Sequence, residues 1–298
     1  MTETPDTVPR VDAHHHLWDT ARRNLPWMDG PWADPLHGRF DAHRYAQATA
    51  ERGISASVVV QAATDPAETR ELLAVASVDP VVRAVVGWVD LTAPDVADVL
   101  AGLRTGPAGE RLVGVRHPVQ DEPDPGWLLR PDVRRGIAAV GRAGLRYDLL
   151  VRPPQFAAAV ATVHAHPEVR FVLDHLGKPR ISPSASRGAD GDDGWSQGLA
   201  ALAAAPNVTA KLSGLVTEAD RRTWTPQQLM PFGRRALDLF GPHRLMYGSD
   251  WPVCTLAADY RQVLDIAETI TDGLSGPERA AVFGGTAVRW YGLDRLLP

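Results

Sequence analysis

Residues 10–18 read RVDAHHHLW, from Arg10 to Trp18. The run Arg10–His16 predicts a β-strand, and the alternation of side chains along a strand puts His14 and His16 on one face. Two imidazoles so placed converge on one metal ion or one water, while His15 turns to the other face, toward surrounding helices. Histidines at a strand end carry most meaning in the closed α/β barrel. That fold builds its active sites at the C-terminal ends of its parallel strands.

The remainder of the chain supplies that architecture. Seven further β-branched or apolar runs follow: Ala56–Ala62, Val82–Asp90, Leu112–Pro118, Arg146–Val151, Arg170–Gly177, Val208–Gly214 and Arg244–Trp251. Several are almost continuously apolar, as strands covered on both faces are. Between most of them lie amphipathic helical stretches: Ala67–Val78, Ala93–Arg104, Pro131–Ala143, Pro154–His166 and Pro226–Phe240. Strand and helix alternating eight times predict an α/β protein of the (β/α)8 TIM-barrel class rather than an open sheet. A terminal helix is predicted over Pro277–Tyr291. No linker divides residues 1–298, which read as one domain, with residues 1–9 expected to be flexible. Two loops exceed ordinary connection lengths. Leu17–Asp41 carries Trp18, Trp27 and Trp32 and is predicted to be a structured lid. Pro179–Gly194, rich in Ser, Gly and Asp, is predicted to be mobile.

Composition narrows the partners. Over 298 residues the formal net charge is −5, with both signs scattered. The absence of a basic stripe argues against nucleic acid and anionic membrane as partners. The single cysteine, Cys254, rules out an internal disulfide and suits a reducing cytoplasm. Met1–Arg10 lacks the apolar stretch of a signal peptide, and no segment approaches the roughly 18 apolar residues of a membrane span. A soluble cytoplasmic protein is expected, with its oligomeric state open. Among 31 basic residues only Lys178 and Lys211 are lysines, and both fall near predicted strand ends.

Two more strand ends carry chemistry. Val172–Pro179 reads VLDHLGKP and places His175 where the sixth strand closes. A lone histidine is commonly a satisfied core residue, but its position at a strand's C-terminal end favours function. Asp174 reads as a supporting or capping residue. Tyr247–Pro252 reads YGSDWP and closes the eighth strand. Asp250 alone could cap a helix. In a closed barrel, though, the eighth strand neighbours the first, so Asp250 becomes the natural general base beside His14 and His16.

With these residues in place, the chain resembles the amidohydrolase superfamily: HxH on strand one, His on strand six, Asp on strand eight. The motifs DAHHHLWD, VGVRHPVQ, VLDHLGKP, NVTAKLSGL and YGSDWPVCTLAADY, in that order between Val11 and Tyr291, resemble its sugar-lactone hydrolase branch. That branch includes the L-fuconolactonases and L-rhamnonolactonases. One departure matters. Strand four ends in Arg116-His117, without the lysine or glutamate that bridges two metals, so a two-metal site is not expected. The resemblance implies either one divalent ion, best zinc, held by His14, His16, His175 and Asp250, or no metal at all.

The implied reaction is hydrolysis of a small lactone by a water that Asp250 activates, with His14, His16 and His175 holding a metal or donating hydrogen bonds. Gln61, Arg116, His117, Asp148 and Lys178 stand at strand ends as candidate substrate contacts, and Trp18, Trp27 and Trp88 as candidate walls. Lys211 shares the inward face of Ser213, and a lysine inside a barrel needs a carboxylate partner. Two other readings use the same barrel. One is a metal-dependent decarboxylase of an unsaturated carboxylic acid, which would need several cations in the pocket. The other is a binding protein, which would not need all four of His14, His16, His175 and Asp250.

Overall fold

Eight parallel strands pair in the order they occur along the chain: β1 (Arg10–His15), β2 (Ile54–Val60), β3 (Val82–Gly87), β4 (Leu112–His117), β5 (Arg146–Leu149), β6 (Phe171–Leu173), β7 (Val208–Leu212) and β8 (Leu245–Tyr247). The computed structural model describes residues 8–182 and 194–297. Each strand is followed by a helix: α1 (Ala42–Thr49), α2 (Pro66–Val78), α3 (Val96–Thr105), α4 (Pro131–Arg142), α5 (Phe156–Ala165), α6 (Trp195–Ala204), α7 (Pro226–Phe240) and α8 (Tyr260–Ile270). This is the (β/α)8 barrel that the alternation predicts.

Two apolar layers hold it. Val59, Val85, Tyr147, Phe171 and Tyr247 belong to the core between strands and helices. Val58, Ala84, Val86, Val172 and Met246 form the core inside the barrel, with Ala287, Val288, Tyr291 and Leu293 of the C-terminal segment packed into it. The barrel is therefore filled, and only its C-terminal mouth is left for chemistry.

The seam between β8 and β1 carries no regular ladder. It closes through a bridge between His15 and Trp251, with His16 N–H donating to the Trp251 carbonyl at 2.7 Å and Asp250 N–H donating to the His14 carbonyl at 2.8 Å. A register shift lies in β1 between Asp12 and His15. Strict alternation would group Asp12 with His14 and His16. Instead Asp12 accepts from Tyr45 of α1 and Tyr260 of α8, on the helix side, while His14 and His16 face the mouth. Irregularities of this kind commonly re-aim side chains at active sites.

Several boundaries move. The sixth strand, expected over Arg170–Gly177, stops at Leu173, and the eighth, expected to Trp251, stops at Tyr247. The motif residues leave the strand ends in tight turns. The terminal helix is interrupted: Gly276–Ala280 and Thr286–Tyr291 flank a wider π turn at Ala281–Gly285. There Gly284 lies against the Pro9 carbonyl, so closely that an added Cβ would sit 1.8 Å from its oxygen. The Trp-rich loop is structured as expected. Trp18–Asp19 pairs with Arg39–Phe40, and short 3-10 turns lie between. The mobility expected of Pro179–Gly194 concerns residues mostly outside those described, as does that of residues 1–9. Among the described residues no helix is long and apolar enough to cross a membrane.

Candidate active site

Asp250 sits in the turn that follows the closing strand, buried, with three imidazoles around one oxygen. From its Oδ1, His16 Nε2 lies at 3.4 Å, His14 Nε2 at 3.8 Å and His175 Nε2 at 3.8 Å. Residues far apart in the chain thus meet in one small volume, where the sequence places its four strand-end motif residues.

The backbone is bent to achieve this. Asp250 adopts the left-handed conformation, φ 58°, and so do His175, Leu176, Gly177 and Lys178, with φ between 51° and 71°. Non-glycine residues hold that conformation at a cost of order 1–3 kcal/mol each, which the surrounding packing must supply. Leu176 is fully buried, and the Trp195 indole N–H donates to its carbonyl at 2.7 Å. Opposite this turn, Gly214 leaves room for the His175 ring, since a Cβ there would meet Nδ1 at 2.6 Å.

Each imidazole is oriented through its other nitrogen. His16 Nδ1 faces the Val60 carbonyl at 2.8 Å, so that nitrogen carries the proton and Nε2 is left with a lone pair aimed at the site. His175 Nδ1 meets Ser213 Oγ at 2.9 Å. His14 Nδ1 lies 3.0 Å from Lys211 Nζ and 3.3 Å from Asp174 Oδ1. Burial pushes the His14 ring well below the usual imidazole range, with the Lys211 charge adding to it, and burial takes His175 down to about 4. Both are neutral at neutral pH. Burial works against the Asp250 carboxylate, yet the group is held below its ordinary range, with His175 the largest opposing influence. Asp250 is therefore ionised and able to accept a proton.

Beneath this layer lies a buried ionic cluster. Lys211 Nζ is 2.6 Å from Asp148 Oδ2 and 2.9 Å from Asp174 Oδ1, and Arg116 Nη1 donates to Asp174 Oδ2 at 3.0 Å. These carboxylates are the partners that an inward lysine requires. Burial pushes Asp174 up, but Lys211, His14 and Arg116 hold it well below the usual range. Burial, only partly offset by Lys211, takes Asp148 up to about 6.

The remaining predicted contacts divide. Gln61 and Arg116 are buried and joined through each other's carbonyls, and Arg116 Nη1 reaches within 3.4 Å of His14 Nε2. Lys178 lies near the surface, paired with Glu218 at 3.0 Å. Trp18 packs beside His16 with ring centroids 6.0 Å apart, and half-buried Trp27 packs on Trp18 and donates to the Ala62 carbonyl at 2.9 Å. His117 has both nitrogens engaged: Nδ1 accepts from Trp88 Nε1 at 3.1 Å and Nε2 faces Glu122 at 2.8 Å. Asp148, expected at the mouth, instead lies fully buried in the layer below, where Tyr291 donates to the oxygen that Lys211 also holds. β5 ends one residue after it, so its side chain points into the barrel rather than out of it.

Sequence reading missed Asp12. Its Oδ1 accepts the backbone N–H groups of His14 at 3.1 Å and Ser249 at 2.9 Å, tying both sides of the seam together. The adjacency of Asp12 to the histidines was the available signal, while the register shift that turns its side chain to the helix side leaves no mark in the sequence.

The donor set fits a divalent ion. Ligand atoms of His14, His175 and Asp250 all lie within 4.8 Å of one another, and His16 offers its bare Nε2 beside them. Nitrogen and carboxylate oxygen donors, each oriented by an outer partner, are what such a site requires.

The family model described as amidohydrolase matches residues 11–293. The chain belongs to the amidohydrolase family. It is 40% identical to an L-fucono-1,5-lactonase of Burkholderia multivorans over 95% of this chain and 96% of that protein. It is 38% identical to an L-fucono-1,5-lactonase of Burkholderia ambifaria over 96% of each. A B. multivorans amidohydrolase solved with bound zinc, and in another crystal form with bound HEPES, superposes with a TM-score of 0.87 at 38% identity, covering 97% of this chain and 99% of that one. A Rhizobium 2,6-dihydroxybenzoate decarboxylase, at 15% identity and a TM-score of 0.63, shares the fold alone.

Proposed function

We propose that this protein hydrolyses a small sugar lactone, with aldonolactones of the L-fucono-1,5-lactone kind as its substrates. The observation that carries the reading is an ionised Asp250 faced by three imidazole nitrogens within 3.4–3.8 Å, in a chain this similar to two L-fucono-1,5-lactonases.

Asp250 Oδ1 holds a water and removes its proton as the oxygen attacks the lactone carbonyl carbon. The tetrahedral intermediate collapses with cleavage of the ring C–O bond. Asp250 then returns the proton to the departing alkoxide, leaving an open hydroxy acid. Hydrogen bonds from the histidine layer to the developing oxyanion are worth about 3–4 kcal/mol per well-placed donor. When bound at His14, His175 and Asp250, with His16 alongside, a divalent ion such as zinc would polarise the carbonyl and acidify the water. Trp18 and Trp27 wall the mouth against the apolar face of the ring. Lys178 and Arg116 supply donors for hydroxyls. Among the described residues these two cations, Arg116 buried and Lys178 paired with Glu218, suit a polyhydroxylated ring better than a dicarboxylate.

A panel of sugar lactones followed by acid release, run with and without chelator, tests the reading. Hydrolysis of one or more aldonolactones supports it. Silence across the panel, with and without added zinc, overturns it.

A further inference from the structure

We propose that Lys211 fixes the position of the proton on His14, and thereby restrains metal uptake by that ring. The inference rests on the reading above in one respect, that His14 faces the reacting water.

Lys211 stands on β7 with its side chain fully buried inside the barrel. Its ammonium has three N–H groups and no lone pair. Those groups have three near partners: Asp148 Oδ2 at 2.6 Å, Asp174 Oδ1 at 2.9 Å and His14 Nδ1 at 3.0 Å. A nitrogen that receives from an ammonium carries no proton of its own. The single proton of a neutral His14 is therefore on Nε2.

The other side of the ring agrees. His14 Nε2 lies 3.2 Å from His16 Nε2, and the latter is bare because His16 Nδ1 gives its proton to the Val60 carbonyl at 2.8 Å. His14 Nε2–H then donates to His16 Nε2, and every donor in the row from Lys211 to Val60 meets an acceptor. The opposite tautomer fails twice. It sets a His14 Nδ1–H against the ammonium, and it sets two lone pairs against each other across 3.2 Å. Two contacts speak for it, Arg116 Nη1 at 3.4 Å from His14 Nε2 and Asp174 Oδ1 at 3.3 Å from His14 Nδ1. That guanidinium nitrogen, however, already donates to Asp174 Oδ2 at 3.0 Å, and Asp174 Oδ1 lies farther from Nδ1 than the Lys211 ammonium and pairs with that ammonium at 2.9 Å.

Lys211 is thus a positioning residue. With it in place, His14 offers the site an N–H rather than a lone pair. Binding a metal through Nε2 requires the proton to move to Nδ1, where Asp174 Oδ1 at 3.3 Å is the acceptor, while the ammonium turns away toward Asp148. The buried positive charge also repels a divalent ion directly.

Two measurements test this. In metal-free wild-type protein labelled with 15N, long-range 1H–15N correlation of the imidazoles reads which His14 nitrogen is protonated, with assignment by loss of the signal in His14→Gln. A protonated Nε2 with a bare Nδ1 is expected. A protonated Nδ1, or protons on both nitrogens, overturns the proposal. Zinc affinity, measured by competition with a chromophoric chelator, should rise at least about tenfold in Lys211→Met. Equal or weaker binding overturns it. If Lys211→Met does not fold, the double variant Lys211→Met, Asp148→Asn removes cation and carboxylate together; zinc binding should still tighten because the donor to His14 Nδ1 is gone, and equal or weaker binding overturns the proposal. Neither readout uses a lactone, so failure to turn over any lactone leaves the tautomer assignment standing, and the reverse holds equally.

Discussion

The backbone N–H of Asp250 donates to the carbonyl of His14 at 2.8 Å, across the one strand junction of the barrel that has no regular ladder. The proposed base and the first histidine are therefore held by main chain as well as by side-chain contact. Closing the barrel and assembling the centre are the same event, because Asp12 accepts from the backbone on both sides of that junction.

Gly248 should tolerate no side chain. A Cβ there would lie 2.7 Å from His14 Cβ and 3.2 Å from its backbone nitrogen. Gly248→Ala is expected to cost about 1–3 kcal/mol by overpacking, visible as a lowered midpoint in urea denaturation. A shift of about 1 Å in His14 is expected to reduce turnover by roughly a hundredfold.

Stability should depend on pH through Glu68. This α2 residue accepts the N–H groups of Ala62 and Ala63, and burial takes its carboxyl from 4.5 up to about 7. The folded state binds the proton more tightly than the unfolded chain does. The stabilisation is therefore present below the ordinary carboxylate range and is lost as pH rises toward about 7, amounting to about 3 kcal/mol at most. Glu68→Gln should flatten the change in urea midpoint between acidic and neutral pH. An unchanged slope would show that another group titrates.

Catalysis should be flat across neutrality. His175 is held near 4 by burial, and Asp250 lies below its ordinary range, so neither changes charge near neutrality. The initial rate of enzymatic lactone opening, corrected for spontaneous hydrolysis, should stay within about twofold between roughly pH 6 and pH 8.

Trp27 should act on binding. It is half-buried, packs on Trp18 and donates to the Ala62 carbonyl. Trp27→Ala is expected to raise KM about tenfold and to change kcat by less than about threefold, the pattern of a lost uniform contact.

Much of this was legible in the sequence. The eight strands were readable because buried parallel strands leave nearly continuous apolar runs, and α7 covers the Pro226–Phe240 that its amphipathic pattern predicts. The strand ends were not. Leu173 and Leu176 look alike in hydropathy, yet the first ends β6 and the second lies in a left-handed turn that only tertiary packing sustains. Lys211 announced its need for a partner. Asp148 could not be named because it lies 63 residues away, and the depth of a side chain along a barrel strand depends on neighbours rather than on its own segment.

Asp250→Asn gives the most direct measurement. The substitution removes the base and leaves the backbone bonds of the seam intact, so the folded state should persist with a melting midpoint within a few degrees of wild type. Hydrolysis of L-fucono-1,5-lactone, followed by pH-stat on matched samples, should fall by about a thousandfold or more. A folded variant that kept more than about a tenth of the wild-type rate would contradict the assignment of this carboxylate as the proton acceptor.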